Sequence, residues 1–239
     1  MAKLISILGS TGSVGVSALK ITEKKKNIFK INLLSANKNF NLICHQIKKY
    51  NPIYYLIFDK QIYQKVKTKF KKEKVKIINS LDKEHFIKKN DITISAITGI
   101  AGLKPTIYFI KKSKKVLIAN KESIICGWNL IKKKLNYYNK NFIPIDSEHY
   151  SIWKLLNDEY YKDIDKIYLT ASGGPFLNIP KKKLLNIKPQ LALKHPNWQM
   201  GKKISIDSSN MMNKIFEFIE AKKIFNLTNK KLFIVIHPD

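Results

Sequence analysis

Arginine is absent from this 239-residue sequence, and every one of its 45 basic residues is lysine. Arginine is the usual bidentate reader of guanine and phosphate, so a dedicated nucleic-acid reader is not expected here. Acids are scarce as well, 17 in all, which leaves a net charge of +28. The lysines are scattered along the chain rather than gathered on one element, as expected of a residue that is mostly solvated. A protein whose function is to bind polyanions is the weaker reading of that charge; salt-sensitive association is its side effect, and a salt titration separates the two. Lysine, isoleucine, asparagine, tyrosine and phenylalanine share A/T-rich codons, so the composition suits an A/T-rich bacterial genome such as a symbiont's. Two cysteines, Cys44 and Cys126, give no disulfide framework and suit a reducing, cytoplasmic compartment. No apolar run approaches the roughly 20 residues that span a membrane. With a strand pattern beginning by Lys3, no signal peptide is expected.

What the chain does contain is a core-forming fraction of 44% hydrophobic residues, enough for one large or two modest domains. Glycine is sparse, with nine in all, yet three stand at Gly9, Gly12 and Gly15. The apolar run Leu4–Leu8 precedes them and a helix-compatible run follows. Strand, tight turn and helix start make a phosphate cradle, in which free N–H groups and the helix dipole meet a pyrophosphate. Ser10, Thr11 and Ser13 are expected to add hydroxyl donors. The spacing GxxGxxG differs from GxGxxG, so a glycine turn that holds no nucleotide is the competing reading.

Strand patterns recur at Leu4–Leu8, Lys30–Ser35, Tyr54–Phe58, Val75–Ile78, Ile92–Ala96, Val116–Ala119 and Phe142–Ile145. Helical patterns lie between them, as at Asn41–Tyr50, Gln61–Lys72, Leu103–Lys112 and Ser123–Leu135. This alternation predicts an α/β fold, a doubly wound Rossmann-like parallel sheet over residues 1–145. A second α/β or α+β domain is expected over residues 146–239. The second strand ends in Ser35-Ala36-Asn37-Lys38-Asn39, without the carboxylate that holds a ribose 2′-hydroxyl. A cation with amide and hydroxyl donors suits a 2′-phosphate, hence NADP rather than NAD; one more surface lysine is the alternative. The fifth and sixth strands run into Thr98–Gly102 and Ala119–Ser123, at the strand ends where open α/β sheets bind ligands.

Beyond residue 145 the texture changes. In Pro144–His149, Asp146 and Glu148 share a face if the segment is extended, and two convergent carboxylates plus a third make a hard-cation site. A helix cap with Glu148 in its first turn fits the same residues. Ser172-Gly173-Gly174 follows a strand and forms a potential anion turn. His195–Gly201 carries Trp198, which suits either a lid over a substrate or a loop packed on the core. Asp207 and Ser208 read as caps of a helix on which Asn213, Lys214 and Glu217 share one side. There Ser208, Asn213 and Lys214 suit a phosphate and Glu217 a metal, or Lys214 and Glu217 form an ordinary surface pair. Met211, Ile215, Phe218 and Ile219 are expected to face the core.

In order along the chain, GSTGSVG, ANKES, PIDSEH, SGGPF, HPNWQMG and IDSSNMMNK followed by Glu217 resemble the 1-deoxy-D-xylulose 5-phosphate reductoisomerase family from Ile5 to His237. The resemblance implies NADPH-dependent rearrangement and reduction of that ketose phosphate to 2-C-methyl-D-erythritol 4-phosphate. This is a step of the non-mevalonate route to isoprenoid precursors. It implies Asp146, Glu148 and Glu217 as ligands of Mg²⁺ or Mn²⁺. It places Lys121, Ser147, Glu148, Ser172, His195, Ser208, Asn213, Lys214 and Glu217 at the sugar phosphate, and counts Lys121 and His195 with the metal ligands as catalytic. His195, Trp198 and Met200 belong to a closing lid. Thr11, Gly12, Ser13 and Val14 fall at the pyrophosphate, Ala36, Lys38 and Asn39 around the 2′-phosphate, and Asn120, Glu122 and Gly201 with the rest of the cofactor. A homodimer without membrane or nucleic-acid partner is implied where the fold is complete. Asn37, Ala171 and Lys194 replace residues that are often Gly, Gly and Arg. The family also continues past Ile236-His237-Pro238 into a further helical domain, so a non-catalytic NADP-binding remnant needing a partner fragment is the alternative.

Overall fold

The computed structural model describes residues 2–81, 88–156, 164–194 and 202–237. The chain divides into two compact units, Met1–Asp146 and Ser147–Asp239.

The first unit is a seven-stranded sheet of order β4-β3-β2-β1-β5-β6-β7. Its strands are β1 (Lys3–Leu8), β2 (Phe29–Ala36), β3 (Tyr54–Ile57), β4 (Lys76–Ile78), β5 (Asn90–Ser95), β6 (Ser113–Ile118) and β7 (Asn141–Pro144). All pair in parallel, as the doubly wound expectation requires. Period-2 alternation explains the two covered faces. Tyr55 and Ile57 of β3 pack with Ala18 and Leu19 of α1 (Ser13–Lys24) and Ile43 of α2 (Phe40–Tyr50). Tyr54 and Leu56 point the other way, into a cluster with Phe109 of α4 (Leu103–Lys112). Helices α3 (Lys60–Lys69) and α5 (Lys121–Tyr137) complete the crossovers. The chain leaves β4 at one edge and returns as β5 beside β1, which puts the switch point between those two strands.

Strands β5 and β6 begin two and three residues earlier than their apolar runs, at Asn90 and Ser113, which pair with each other. Both are buried polar residues. Asn90 Oδ1 accepts from Ser6 Oγ at 2.7 Å and from Asn32 Nδ2 at 2.5 Å, and the Thr93 and Ser113 hydroxyls bond at 2.7 Å. Side-chain hydrogen bonds let polar residues extend a strand that hydropathy alone cuts short.

The second unit holds α6 (Ser147–Leu155), β8 (Ile167–Ala171), α7 (Lys181–Leu184), α8 (Lys202–Ser209), α9 (Met212–Ile224) and β9 (Leu232–Ile236). Strands β8 and β9 pair in parallel from Ile167↔Leu232 to Ala171↔Ile236. Ile152, Leu156, Leu169, Ala221, Phe225, Leu227 and Leu232 form the core between these strands and α6 and α9.

Two expectations fail in this unit. Asp207 and Ser208 do not cap the last helix: both lie in the final turn of α8, where Asp207 accepts from Lys203 Nζ four residues back at 2.6 Å. Helix α9 starts afresh after Met211, whose φ of +64° breaks the chain's helical run. Of the face expected to be core, Phe218 does pack against the unit's core, but the Met211/Ile215 end does not. Ile215 is exposed, and the buried positions are Lys214, Glu217, Glu220 and Ala221. The inner side of α9 thus combines charged Lys214, Glu217 and Glu220 with apolar Phe218 and Ala221.

Candidate functional site

Two places are candidates for chemistry, one at the glycine turn after β1 and one around the starts of α6 and α9. In the first, Gly9 leaves β1 with φ +80°, and a Cβ there would sit 2.6 Å from the Ala96 carbonyl oxygen. A Cβ on Gly15 would meet the Gly9 carbonyl oxygen at 2.2 Å. Both glycines are therefore demanded by packing of the turn against β5 and of α1 against the turn. Gly12 is different: only the Gly9 oxygen, at 3.5 Å, lies near its missing Cβ. Its bareness serves the open side of the loop, with the exposed Ser13 and Val14 and the half-buried Thr11. Regular helical bonding begins with Val16 N–H to the Gly12 oxygen, so the first-turn N–H groups have no helical acceptor. This cradle fits a pyrophosphate.

Ser10 does not contribute to it. Its hydroxyl is fully buried, 2.7 Å from Gln46 Oε1 and 3.2 Å from the Tyr55 hydroxyl. Gln46 Nε2 returns a bond to the Ser10 carbonyl oxygen, and Tyr55 donates to Gln46 Oε1 at 2.7 Å. Burial pushes the Tyr55 phenol well above its usual range, so it stays a neutral donor. The network pins the glycine turn to β3 and α2. Gln46 and Tyr55 read in sequence as ordinary helix and strand residues, and no local signal separates them.

At the end of β2, Ala36 is buried while Lys38 and Asn39 are exposed. Asn39 caps α2, its Oδ1 accepting from Leu42 N–H at 3.1 Å. Asn120 is buried and committed: it caps α5 at Ser123 and donates to the carbonyl oxygens of Ile97 and Gly99. It ties the loop after β5 to the start of α5. Glu122, half-buried, lies in the first turn of α5, where the helix dipole favours an acid. Lys121 of the same turn donates to Asp146 Oδ2, with side chains only 11% and 17% exposed.

The second place gathers around α6 and α9. Asp146 immediately precedes α6, and Glu148 lies in that helix's first turn. The segment is thus a helix start and not extended. Its two acids nevertheless converge, and one carboxylate oxygen from each of Asp146, Glu148 and Glu217 lies within 4.8 Å of the others. Lys214 Nζ reaches Glu148 Oε1 at 2.8 Å and Glu217 Oε2 at 2.6 Å. Asn213 Nδ2 donates to Glu217 Oε1 at 2.5 Å, and Ser147 Oγ to Glu148 Oε2 at 2.6 Å. The Lys214–Glu217 pair is no surface pair, since the residues are 7% and 2% exposed. Burial alone would push the Lys214 ammonium down, but its bonds to Glu148 and Glu217 outweigh that and hold it above the ordinary lysine value. Three carboxylates so close, all hard oxygen donors, fit Mg²⁺ or Mn²⁺.

Behind them lies a pair that motif reading passes over. His149 is fully buried; its Nε2 donates to the Glu217 carbonyl oxygen at 2.9 Å, and its Nδ1 faces Glu220 Oε2 at 3.6 Å. Its place next to Glu148 on α6 is the only sequence signal for it. Ser172 follows β8 and is half-buried. A Cβ on Gly174, at φ +73°, would sit 2.5 Å from the Ser208 carbonyl oxygen. The Ser-Gly-Gly turn therefore abuts the end of α8, and the two elements expected to share one phosphate do meet. A cavity of about 640 Å³ opens between α6 and β8, with Ser147 and Glu148 in its wall and Ile152, Leu169 and Tyr168 among its apolar lining. His195, Trp198, Met200 and Gly201 lie outside the described residues.

Residues 5–127 match the family described as 1-deoxy-D-xylulose 5-phosphate reductoisomerase, and residues 142–225 match its C-terminal domain. The curated reductoisomerase of Pelagibacter ubique is 52% identical over 240 residues, covering 99% of this chain and 62% of its own length. That of Wolbachia from Drosophila simulans is 46% identical, covering 99% and 61%. The Zymomonas mobilis reductoisomerase solved with NADPH superposes with a TM-score of 0.89 at 32% identity, over 100% of this chain and 62% of that one. A reductoisomerase solved with NADPH, fosmidomycin and magnesium gives 0.88 at 32% identity, over 99% and 61%. The chain spans about 62% of the length of the relatives it matches.

Proposed function

The chain belongs to the 1-deoxy-D-xylulose 5-phosphate reductoisomerase family, and we propose that it carries out the family's reaction. The ketose phosphate would be rearranged to a branched aldehyde and reduced by NADPH to 2-C-methyl-D-erythritol 4-phosphate, with Mg²⁺ or Mn²⁺. The observation that carries this reading is the meeting of Asp146, Glu148 and Glu217 within 4.8 Å. Relatives solved with NADPH and magnesium support it.

When bound, the cation supplies Lewis-acid polarisation of the substrate carbonyl and neighbouring hydroxyl oxygen, and the nucleotide supplies hydride. The protein's part is binding and orientation. Asp146, Glu148 and Glu217 hold the cation. Asn213 fixes one oxygen of Glu217 and His149 fixes its backbone, so the ligand stays aimed. Lys121 pairs with Asp146, and its ammonium would meet a substrate oxygen beside that ligand. Ser147 orients Glu148 and contacts substrate beside it. Ser172, Ser208, Asn213 and Lys214 take the phosphate, a remote handle that holds a small substrate in reacting geometry. Thr11 to Val14 cradle the pyrophosphate, with Ala36, Lys38 and Asn39 at the 2′-phosphate and Asn120 and Glu122 toward the nicotinamide. His195 acts with the substrate and Gly201 with the cofactor. In this reading Met1–Asp146 is the NADPH unit and Ser147–Asp239 the substrate unit.

Finer parts of the same proposal are a place in the non-mevalonate route, a bacterial cytoplasmic location and a homodimer. No specific nucleic-acid partner belongs to it. Among the described residues no helix is long and apolar enough to cross a membrane.

The test is NADPH consumption by the chain with the ketose phosphate and Mg²⁺. Turnover is expected with wild type, and Glu217→Gln should lower it by more than about 100-fold, since it removes a ligand and not merely a ligand's support. Turnover that survives chelation or Glu217→Gln overturns the reading. NADPH binding without any turnover would favour the remnant.

A further inference from the structure

Lys214 occupies an unusual position for a residue assigned to a phosphate. Its ammonium sits between Glu148 and Glu217, two of the three acids that would hold the cation, at 2.8 and 2.6 Å. The side chain is 8% exposed, so this is not a solvated surface contact. An ammonium is a compact point charge, here held by two of the three carboxylates that a divalent ion needs. Two cations held by the same carboxylates at such short range repel each other, and the better-held one excludes the other. Glu217 does not depend on Lys214 for its position: Asn213 holds Oε1 and His149 holds the backbone carbonyl. The carboxylate cage therefore survives departure of the lysine. The lysine's four-carbon stem is flexible and leaves from the first turn of α9, close in sequence to the Ser208 end of α8.

We propose that Lys214 is the resident counter-ion of the carboxylate site: a divalent cation displaces it, and the displaced ammonium is thereby delivered to the substrate phosphate. This deepens the metal-site reading above and rests on it. Because one side chain serves both states, cation and phosphate binding are linked: each favours the other through Lys214. The proposal also sets the sign of a charge-removing substitution at this site. Neutralising Lys214 should strengthen cation binding, because it removes a competitor.

The experiment is a Mn²⁺ titration of the full chain, without substrate, with free Mn²⁺ followed by electron paramagnetic resonance. Lys214→Met is expected to bind Mn²⁺ about 5-fold or more tightly than wild type, the low end of a typical coupling between sites. Lys214→Arg, which keeps the charge, should bind no tighter than wild type. Asp146→Asn should bind more weakly. Circular dichroism checks folding, and Lys214→Gln replaces the Met variant in the comparison if the latter does not fold. Equal or weaker Mn²⁺ binding by the neutral Lys214 variant, with Asp146→Asn still weakened, overturns this proposal and leaves the metal site standing. Wild type that binds no Mn²⁺, or Asp146→Asn that binds as well as wild type, overturns the metal site and this proposal with it.

Discussion

The two units bury polar groups of opposite kinds. In Met1–Asp146 the buried polar side chains among the described residues are serines, threonines, asparagines and one glutamine, with no acid, lysine or histidine among them. In Ser147–Asp239 they include His149, Lys214, Glu217 and Glu220 beside two serines. Burying neutral donors and acceptors costs little once each is hydrogen-bonded, as in the Ser10–Gln46–Tyr55 network. Burying charge is costly even when it is paired, and such pairs seldom add net stability. The candidate site of the first unit is thus built from backbone, with an interior of neutral hydrogen bonds. The candidate site around α6 and α9 is built from side chains, with charged groups in the interior behind it. A binding loop made of N–H groups needs a closely defined chain geometry. A cation site made of carboxylates needs partners that keep those carboxylates charged and aimed.

The largest effect should come from breaking the backbone-built site. Gly9→Ala places a methyl 2.6 Å from the Ala96 oxygen at a φ of +80°. Strain at such a φ and overpacking against fixed backbone together should cost about 3 kcal/mol or more. The measurement is hydrogen exchange resolved by segment. Protection should fall across residues 2–146 and NADPH binding should weaken, while residues 147–237 keep theirs. An equal loss in both units would erase the distinction drawn between them.

A smaller effect is expected from the side-chain-built site. His149→Phe keeps a ring of similar shape but removes the donor to the Glu217 carbonyl oxygen. Losing one partner of a buried hydrogen bond costs about 1–3 kcal/mol. The loss should appear as reduced protection within 147–237, together with weaker Mn²⁺ binding because Glu217 loses its support. Lower protection with unchanged Mn²⁺ affinity would make His149 a packing residue and not a support for the ligand.

The same contrast governs how much of each unit the residues alone reveal. The sheet of the first unit is legible in its alternation: Tyr54 to Ile57 are β-prone, point alternately to two faces and are bounded by turn residues. Gly9, Gly12 and Gly15 announce the tight turn between β1 and α1, although nothing local tells that Ser10 turns inward. The starts of β5 and β6 at Asn90 and Ser113 are invisible to hydropathy because hydrogen bonding keeps them in the sheet. In the second unit the hydrophobic pattern misleads. A buried Lys214–Glu217 stripe is indistinguishable, residue by residue, from a solvated i,i+3 pair, so the apolar Met211/Ile215 side reads as the inner face. The site there is legible only as an ordered series of short motifs. His149 and Glu220 belong to no such motif's chemistry, and only the packing of α6 against α9 brings them together.

The smallest effect concerns the few charges that the first unit does use. Asp91 at the start of β5 accepts Leu4 N–H at 2.8 Å and pairs with Lys114 at 2.8 Å. The Lys114 ammonium, and then the Leu4 N–H, hold its carboxyl below the usual aspartate value. A carboxyl whose folded value is depressed stabilises the fold fully above the unfolded value of about 3.9, and that contribution is lost as pH falls through the folded value. Lys114 is 80% exposed, so solvent screening limits the pair, and Asp91→Asn should cost only about 0.5–1 kcal/mol at pH 7. Denaturant melts at pH 7 and pH 3 test this: the gap between wild type and Asp91→Asn should narrow at the lower pH. A gap that stays constant would mean that Asp91 acts through shape and not charge, and that even the margin of the first unit is built from neutral hydrogen bonds.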